Sequence, residues 1–123
     1  MMKNAVQLTF QLAASDPCSL SGFPGVDTGA GGPLLHAQRT LRGYMGGLPV
    51  GDDNLPTITL TSSQSAQALV ESTAADADGK PCPTYSDLNV ILPDTTEVVK
   101  VPATFAACEL QVHPIVSDSA QAP

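Results

Sequence analysis

Alternation of apolar and polar residues near the start of the chain is the strongest constraint on its fold. Within Asn4–Leu12 every second residue is apolar: Val6, Leu8, Phe10 and Leu12. A period of two places these four side chains on one face of a β-strand, whereas a helix would scatter them around its axis. The segment therefore predicts a strand with one buried face and one hydrated face.

Further short segments have strand character, and turn residues separate them about every ten residues. The segments are Leu34–Leu41, Thr57–Thr61, Ser65–Ser72, Asp87–Leu92, Thr96–Val101 and Glu109–Val116. Eleven prolines and ten glycines are spread along the chain and would cut helices short. The pattern predicts an all-β fold, an immunoglobulin-like β-sandwich of about six to eight short antiparallel strands.

Three regions need separate interpretation. Ser15–Gly32 and Gly43–Pro56 are rich in turn residues and are expected to be loops. Ser65–Ser72 contains alanines typical of a helix, but the preceding strand and the short Ser62–Gln64 turn favour a β-hairpin. One domain is expected over residues 1–116, followed by a disordered polar tail at 117–123.

Charge and hydropathy exclude several classes of partner. The chain has five Lys and Arg against twelve Asp and Glu, a formal charge of −7, and its few cations are scattered. Nucleic acids and anionic lipids require clustered cations, so neither is expected as a partner. No apolar run is long enough to span a membrane, and the N-terminal residues lack the continuous apolar core of a signal peptide.

The three cysteines, Cys18, Cys82 and Cys108, each lie in or beside a predicted loop. Their spacing matches no metal-binding motif. They could be three free thiols of a cytosolic protein, or two could form a disulfide in an oxidising compartment. The second interpretation is favoured because aromatic residues make up only 4% of the chain, and a poor core benefits from a covalent link. A Cys18–Cys82 bridge would be worth about 4 kcal/mol in the chain-entropy model.

The sequence shows no recognisable catalytic, cofactor-binding or metal-binding motif. His36 and His113 are far apart in sequence, and each is expected to be a surface or half-buried residue rather than a ligand or base. Asp76–Gly79 resembles the start of a calcium loop, but Lys80 occupies the fifth position, so a solvated turn is favoured. Gly29–Gly32 is expected to be a flexible turn, because no GK[ST] follows it.

Two aromatic residues stand in glycine- and proline-rich loops. Phe23 and Tyr44 are candidates for contacts with a partner. For Phe23 the favoured alternative is a structural role, in which its ring closes one end of the sandwich.

The segment Cys18–Val26 reads C-S-L-S-G-F-P-G-V. It resembles the motif C-x-L-x-G-[YF]-P-G-V of domain of unknown function family 4232, found mainly in secreted and lipid-anchored proteins of actinobacteria, including mycobacteria. Three later segments are similar to family patterns in the same order: Leu60–Val70, Pro81–Pro93 and Phe105–Ile115. The resemblance covers about residues 5–116.

The resemblance implies an extracytoplasmic domain, secreted or in the cell envelope, whose N-terminal strand and export signal are missing. Family members usually begin with an export signal or lipobox and an initial strand with a fourth cysteine, which this chain lacks. If Cys18 pairs with Cys82, Cys108 would be left unpaired. A missing edge strand would expose the hydrogen-bonding groups of Val6–Leu12 or of the last strand, and a homodimer through this open edge is expected.

Three functions are compatible with these observations. The favoured one is a non-catalytic envelope or secreted module with a structural or binding role, whose loops carry recognition. The second is a hydrolase or metal-dependent enzyme with a site assembled from distant loops. The third is an intracellular or phage-encoded regulator that kept the fold without the signal.

Overall fold

A computed structural model of the chain describes residues 3–11, 17–93 and 95–117, and these residues form strands and loops without any helix. The strands are β1 Lys3–Phe10, β2 Cys18–Ser21, β3 Gly25–Thr28, β4 Gln38–Arg39, β5 Thr57–Leu60, β6 Ala66–Thr73, β7 Thr84–Ile91, β8 Val98–Ala106, β9 Leu110–Val112 and β10 Val116–Ser117. The all-β prediction is confirmed.

The strands form one large sheet and two small ones. The large sheet has the order β1-β6-β9-β4, with β10 also paired to β6, and the small sheets are β3-β7-β8 and β2-β5. Val70 of β6 packs in a core cluster with Leu88 of β7, whereas Ala66 and Ala68 of β6 pack in a second cluster with β2 and β5. Residues two apart on a strand share a face, so both small sheets cover the same face of the large one, as in a sandwich.

The first predicted strand is confirmed as β1. Leu8 is buried, whereas Ala5, Gln7 and Thr9 face solvent, as period-two alternation requires. Leu12, the last apolar residue of the pattern, lies outside the described residues. The tail prediction is only partly covered: Ser117 pairs with Ala66 in β10, and residues 118–123 lie outside the described part of the chain.

Two segments differ from their predictions. Ser15–Gly32, predicted as loop, contains β2 and β3, because four-residue strands fit between its turn residues. Leu34–Leu41, predicted as a strand, contains only the two-residue β4. This segment crosses from one layer to the other. The Ala37 amide donates to the carbonyl of Val26 in β3, whereas Gln38 and Arg39 pair with β9 in the large sheet. The β4–β9 pairing is parallel, so the sandwich is not wholly antiparallel.

The predicted hairpin between Thr57–Thr61 and Ser65–Ser72 forms only at its turn. Thr61 and Gln64 exchange backbone hydrogen bonds around Ser62 and Ser63. Beyond that pair the strands separate, and β5 joins β2 while β6 joins β1 and β9. The turn therefore connects the two layers. Strands β5 and β6 lie in different sheets and pack their side chains against each other, instead of pairing within one sheet.

The predicted Cys18–Cys82 bridge is wrong. The disulfide joins Cys82 to Cys108, with the Cα atoms 5.2 Å apart, and Cys18 is the free, exposed cysteine. Cys82 precedes β7 and Cys108 follows β8, and their amides donate to Ala74 and Thr73 at the end of β6. Cys18 instead opens β2, where it pairs with Leu60 in a different sheet.

Candidate recognition loop

The outer face of β6 is covered by the long connection between β4 and β5, residues 40–56, which we call the β4–β5 loop. Of the side chains alternating with the core residues of β6, Gln67, Glu71 and Thr73 are buried and Leu69 is half-buried. A Cβ atom added to Gly46 of the loop would lie 2.6 Å from Leu69 Cδ2, so the loop backbone lies directly on the strand. The central strand is thus covered on both faces.

A buried ion pair lies where the loop meets the sheet. His113 Nε2 lies 2.8 Å from Glu71 Oε1, and both side chains are 1% exposed. His113 Nδ1 lies 3.1 Å from the backbone oxygen of Thr40 and 3.0 Å from its hydroxyl oxygen. A carboxylate oxygen only accepts hydrogen bonds, so Nε2 donates to Glu71, whereas Nδ1 faces both a carbonyl oxygen and a hydroxyl of Thr40. The imidazole ring of His113 therefore connects β6 to the first residue of the loop.

The carboxylate of Glu71 also fixes the tip of the loop. Its oxygens accept hydrogen bonds from the amides of Met45, at 2.7 Å, and Tyr44, at 3.2 Å. Burial by itself would raise the pKa of Glu71, but the hydrogen bond from His113, those from the two amides and the electrostatic attraction of His113 outweigh it. The net result is a lowered pKa, so Glu71 is held ionised.

Two glycines are required at the tip. A Cβ atom at Gly43 would lie 2.8 Å from both Glu71 Oε1 and His113 Cε1. Gly47 has a φ of 109°, in the region that favours glycine. The tip is closed by a hydrogen bond from the amide of Gly43 to the carbonyl of Gly46, 2.8 Å long.

Arg42 holds the second half of the loop. Its guanidinium donates to the backbone oxygens of Leu48, at 3.2 Å, and Asp52, at 2.9 Å, and pairs with the carboxylate of Asp53. Leu48 is buried. The loop is therefore fixed at both halves by charge-assisted hydrogen bonds, which are stronger than neutral ones.

The side chains that this loop presents to solvent are apolar. Tyr44 is 84% exposed and Val50 is 92% exposed, and Met45 and Leu55 are each more than two-fifths exposed. Scattered exposed hydrophobes are common on protein surfaces. Four exposed apolar side chains on one loop whose tip and second half are held by hydrogen bonds make this loop a candidate surface for contact with a partner.

The other residues singled out from the sequence lie apart from this loop. Phe23 is half-buried and packs against the main core cluster, in agreement with its structural interpretation. His36 is exposed and lies 2.6 Å from Asp27, as predicted. The prediction for His113 is wrong, because Glu71 and Thr40 provide partners that allow the ring to be fully buried.

The two motif-like segments are turns. Asp76 Oδ1 accepts hydrogen bonds from the amides of Asp78 and Lys80, both 2.9 Å long. Gly29–Gly32 is not a loose turn: a Cβ atom at Gly29 would lie 1.6 Å from Asp87 Oδ1. Over residues 3–11, 17–93 and 95–117, no three His, Cys, Asp or Glu side chains are placed to hold a metal ion. The same residues contain no helix that could cross a membrane.

Sequence reasoning did not single out Glu71, the residue on which the loop depends. A signal was present in Gln67, Leu69 and Glu71, which share the face of β6 opposite the alanines. A leucine on the same face as two polar residues indicates that other parts of the chain cover this face. The cluster Gly43–Gly47, with three glycines around Tyr44, is likewise typical of a backbone in close contact with its neighbours.

Comparison with known proteins identifies one family. The model of a family described as "Domain of unknown function (DUF4232)" matches residues 1–119. No curated protein and no solved structure matches the chain.

Proposed function

This chain belongs to the DUF4232 family, a domain of unknown function, and we propose that it is a non-catalytic module that binds another protein through the β4–β5 loop. The observation that carries the proposal is that exposed apolar side chains lie on a loop whose tip, at Tyr44 and Met45, is held by the buried carboxylate of Glu71. A loop fixed before binding loses little conformational entropy when a partner docks, so its contacts contribute more to affinity.

The burial of this pair supports a structural role over a catalytic one. Thr40, His113 and Glu71 form a chain of hydroxyl, imidazole and carboxylate, the composition of a catalytic triad. The His113 and Glu71 side chains are 1% exposed, beyond the reach of a substrate.

An oxidising, extracytoplasmic location is the second part of the proposal. Structural disulfides persist in secreted and envelope proteins and are rare in the cytosol, and Cys82–Cys108 joins the ends of three strands. The exposed Cys18 provides a direct way to test the location.

Cys18 should react with a small membrane-impermeant maleimide in intact cells that make the protein. Because it is exposed and unpaired, one label per chain is expected before lysis, and the Cys18→Ser variant should take none. Labelling that requires lysis would place the domain inside the cell and favour an intracellular regulator.

A photo-crosslinker at position 44 or 50 should give one discrete adduct with a partner protein in the same cells. Position 59 is the control, because Thr59 is also exposed but lies on β5. Unlabelled wild-type domain should compete for the adduct, whereas a Tyr44→Ser/Val50→Ser domain should not, because aromatic and apolar anchors carry most of the binding energy. Equal adducts at all three positions, or none at 44 and 50, would rule out recognition by this loop.

A further inference from the structure

Among residues 3–11, 17–93 and 95–117, strand β1 pairs with β6 alone and forms an edge of the large sheet. The amide of His113 donates to the carbonyl of Leu69, so odd-numbered residues of β6 direct their backbone groups toward β9. The even-numbered residues of β6 therefore face β1, where Ala68 pairs with Leu8. By the alternation of an antiparallel ladder, the odd-numbered residues of β1 direct their N–H and C=O groups away from the sheet. Those residues are Ala5, Gln7 and Thr9.

An apolar groove of about 280 Å³ runs beside this edge, between β1 and β8. Leu8 and Phe10 of β1 line one side, and Val99 and Val101 of β8 line the other. Val99 is 49% exposed. The outward-facing backbone groups could pair with an added β-strand, and the groove could accept apolar side chains on every second residue of that strand.

The two edges beside the groove differ in their protection against pairing. Strand β8 carries Lys100 and Pro102, a charge and a residue without an amide hydrogen, which are devices that block strand addition. Strand β1 begins with Lys3, but from Asn4 to Gln11 the chain contains neither a charge nor a proline. Since each chain carries a net charge of −7, an uncharged edge is where two copies can approach with the least repulsion.

We propose that two copies of this chain form a two-fold symmetric dimer by antiparallel pairing of β1 with β1, centred on Leu8. The sequence of the strand is self-complementary in this register. On the groove side Leu8 meets its own counterpart and Val6 meets Phe10. On the solvent side Gln7 meets Thr9 and Ala5 meets Gln11.

In this register the outward-facing N–H and C=O groups of β1 also find hydrogen-bond partners. The pairs Gln7–Thr9 and Ala5–Gln11, each occurring twice, join the outward-facing odd residues and can exchange about eight hydrogen bonds. Leu8 and its counterpart form the close, non-hydrogen-bonded pair, in which side chains approach most nearly. A two-fold axis perpendicular to the joined sheet places both β4–β5 loops on the same side. The proposal does not depend on what those loops bind.

Charge substitutions on the solvent side of β1 test the register. Gln7 and Thr9 are exposed, so replacing both should leave the fold intact while placing like charges opposite each other twice. In sedimentation equilibrium the wild-type chain should be a concentration-dependent dimer, and Gln7→Lys/Thr9→Lys should weaken dimerisation by roughly tenfold or more. Gln7→Glu/Thr9→Glu should do the same, and an equimolar mixture of the two variants should form a heterodimer.

The matched control is Thr57→Lys/Thr59→Lys, which adds the same charges to exposed positions of β5 and should dimerise like the wild type. A wild-type chain that is monomeric at every concentration would overturn the proposal. A dimer that the lysine variant of β1 leaves unchanged, or variants that fail to form a heterodimer when mixed, would overturn it as well.

Discussion

Glu71→Gln is expected to lower the free energy of unfolding by about 3–5 kcal/mol at neutral pH, the cost of removing one partner from a buried ion pair. The substitution keeps the size and shape of the side chain but removes the carboxylate that His113 Nε2 contacts in the buried pair. It also weakens the acceptor for the amides of Met45 and Tyr44. Chemical denaturation of both proteins measures the difference.

The difference between the two proteins should shrink in acid. The pKa of Glu71 is lowered in the folded chain, so its ionisation stabilises the fold fully at pH values above the unfolded pKa of about 4.3. That contribution is lost as the pH falls through 4.3 toward the lower folded value. The difference measured by denaturation should therefore be smaller near pH 3 than at pH 7.

Glu97→Gln is the control, since it makes the same chemical change at an exposed carboxylate and should cost less than about 0.5 kcal/mol. Hydrogen exchange adds a local measurement: the amides of Tyr44 and Met45 should lose protection in the Glu71 variant. A loss of less than about 1 kcal/mol at pH 7, with those amides still protected, would contradict the role assigned to Glu71.

Strands with one buried face were the predictable part of the fold. β1 has solvent on one face and the core on the other, so polar and apolar residues alternate regularly along its sequence. β6 is covered on both faces, so its pattern mixes Ala66 and Ala68 with Leu69 and could not separate strand from helix. β2 and β3 are four residues long, too short for a period to show.

Long-range pairings were not predictable, because sequence patterns report a residue's surroundings and not its partner. The disulfide depends on the ends of β6, β7 and β8 meeting at one place, which requires the strand order. Glu71 and His113 are 42 residues apart, and each alone is an ordinary polar residue on a strand pattern. Tyr44 was singled out as a candidate contact because it lies in a glycine-rich loop, which is a local signal; it is exposed, and its contact with a partner stays a prediction.

Removal of the disulfide is the second large effect that we expect. Cys82→Ala/Cys108→Ala should lower the free energy of unfolding by about 3.5 kcal/mol, since the bridged residues are 26 positions apart and the chain-entropy model gives that value for such a loop. The loss is a large part of the stability of a small domain. Aromatic residues make up 4% of this chain, so few other large side chains compensate.

The effect should act through the unfolded state. The amides of Cys82 and Cys108 donate to the backbone of Ala74 and Thr73, and these hydrogen bonds do not involve the sulfur atoms, so we expect the folded structure to change little. Refolding should therefore slow, while the unfolding rate changes much less. Stopped-flow measurements of the double variant, and of the wild type with and without a reductant, separate the two rates.

Cys18→Ser distinguishes the two pairings of the cysteines. With Cys82 joined to Cys108, loss of the exposed Cys18 thiol should change stability by less than about 0.5 kcal/mol. With Cys18 joined to Cys82, the same substitution would cost as much as the double variant, and Cys108→Ala alone would open no bridge. A large loss in Cys18→Ser would therefore overturn the observed pairing, because an unpaired cysteine on the surface closes no loop in the unfolded chain.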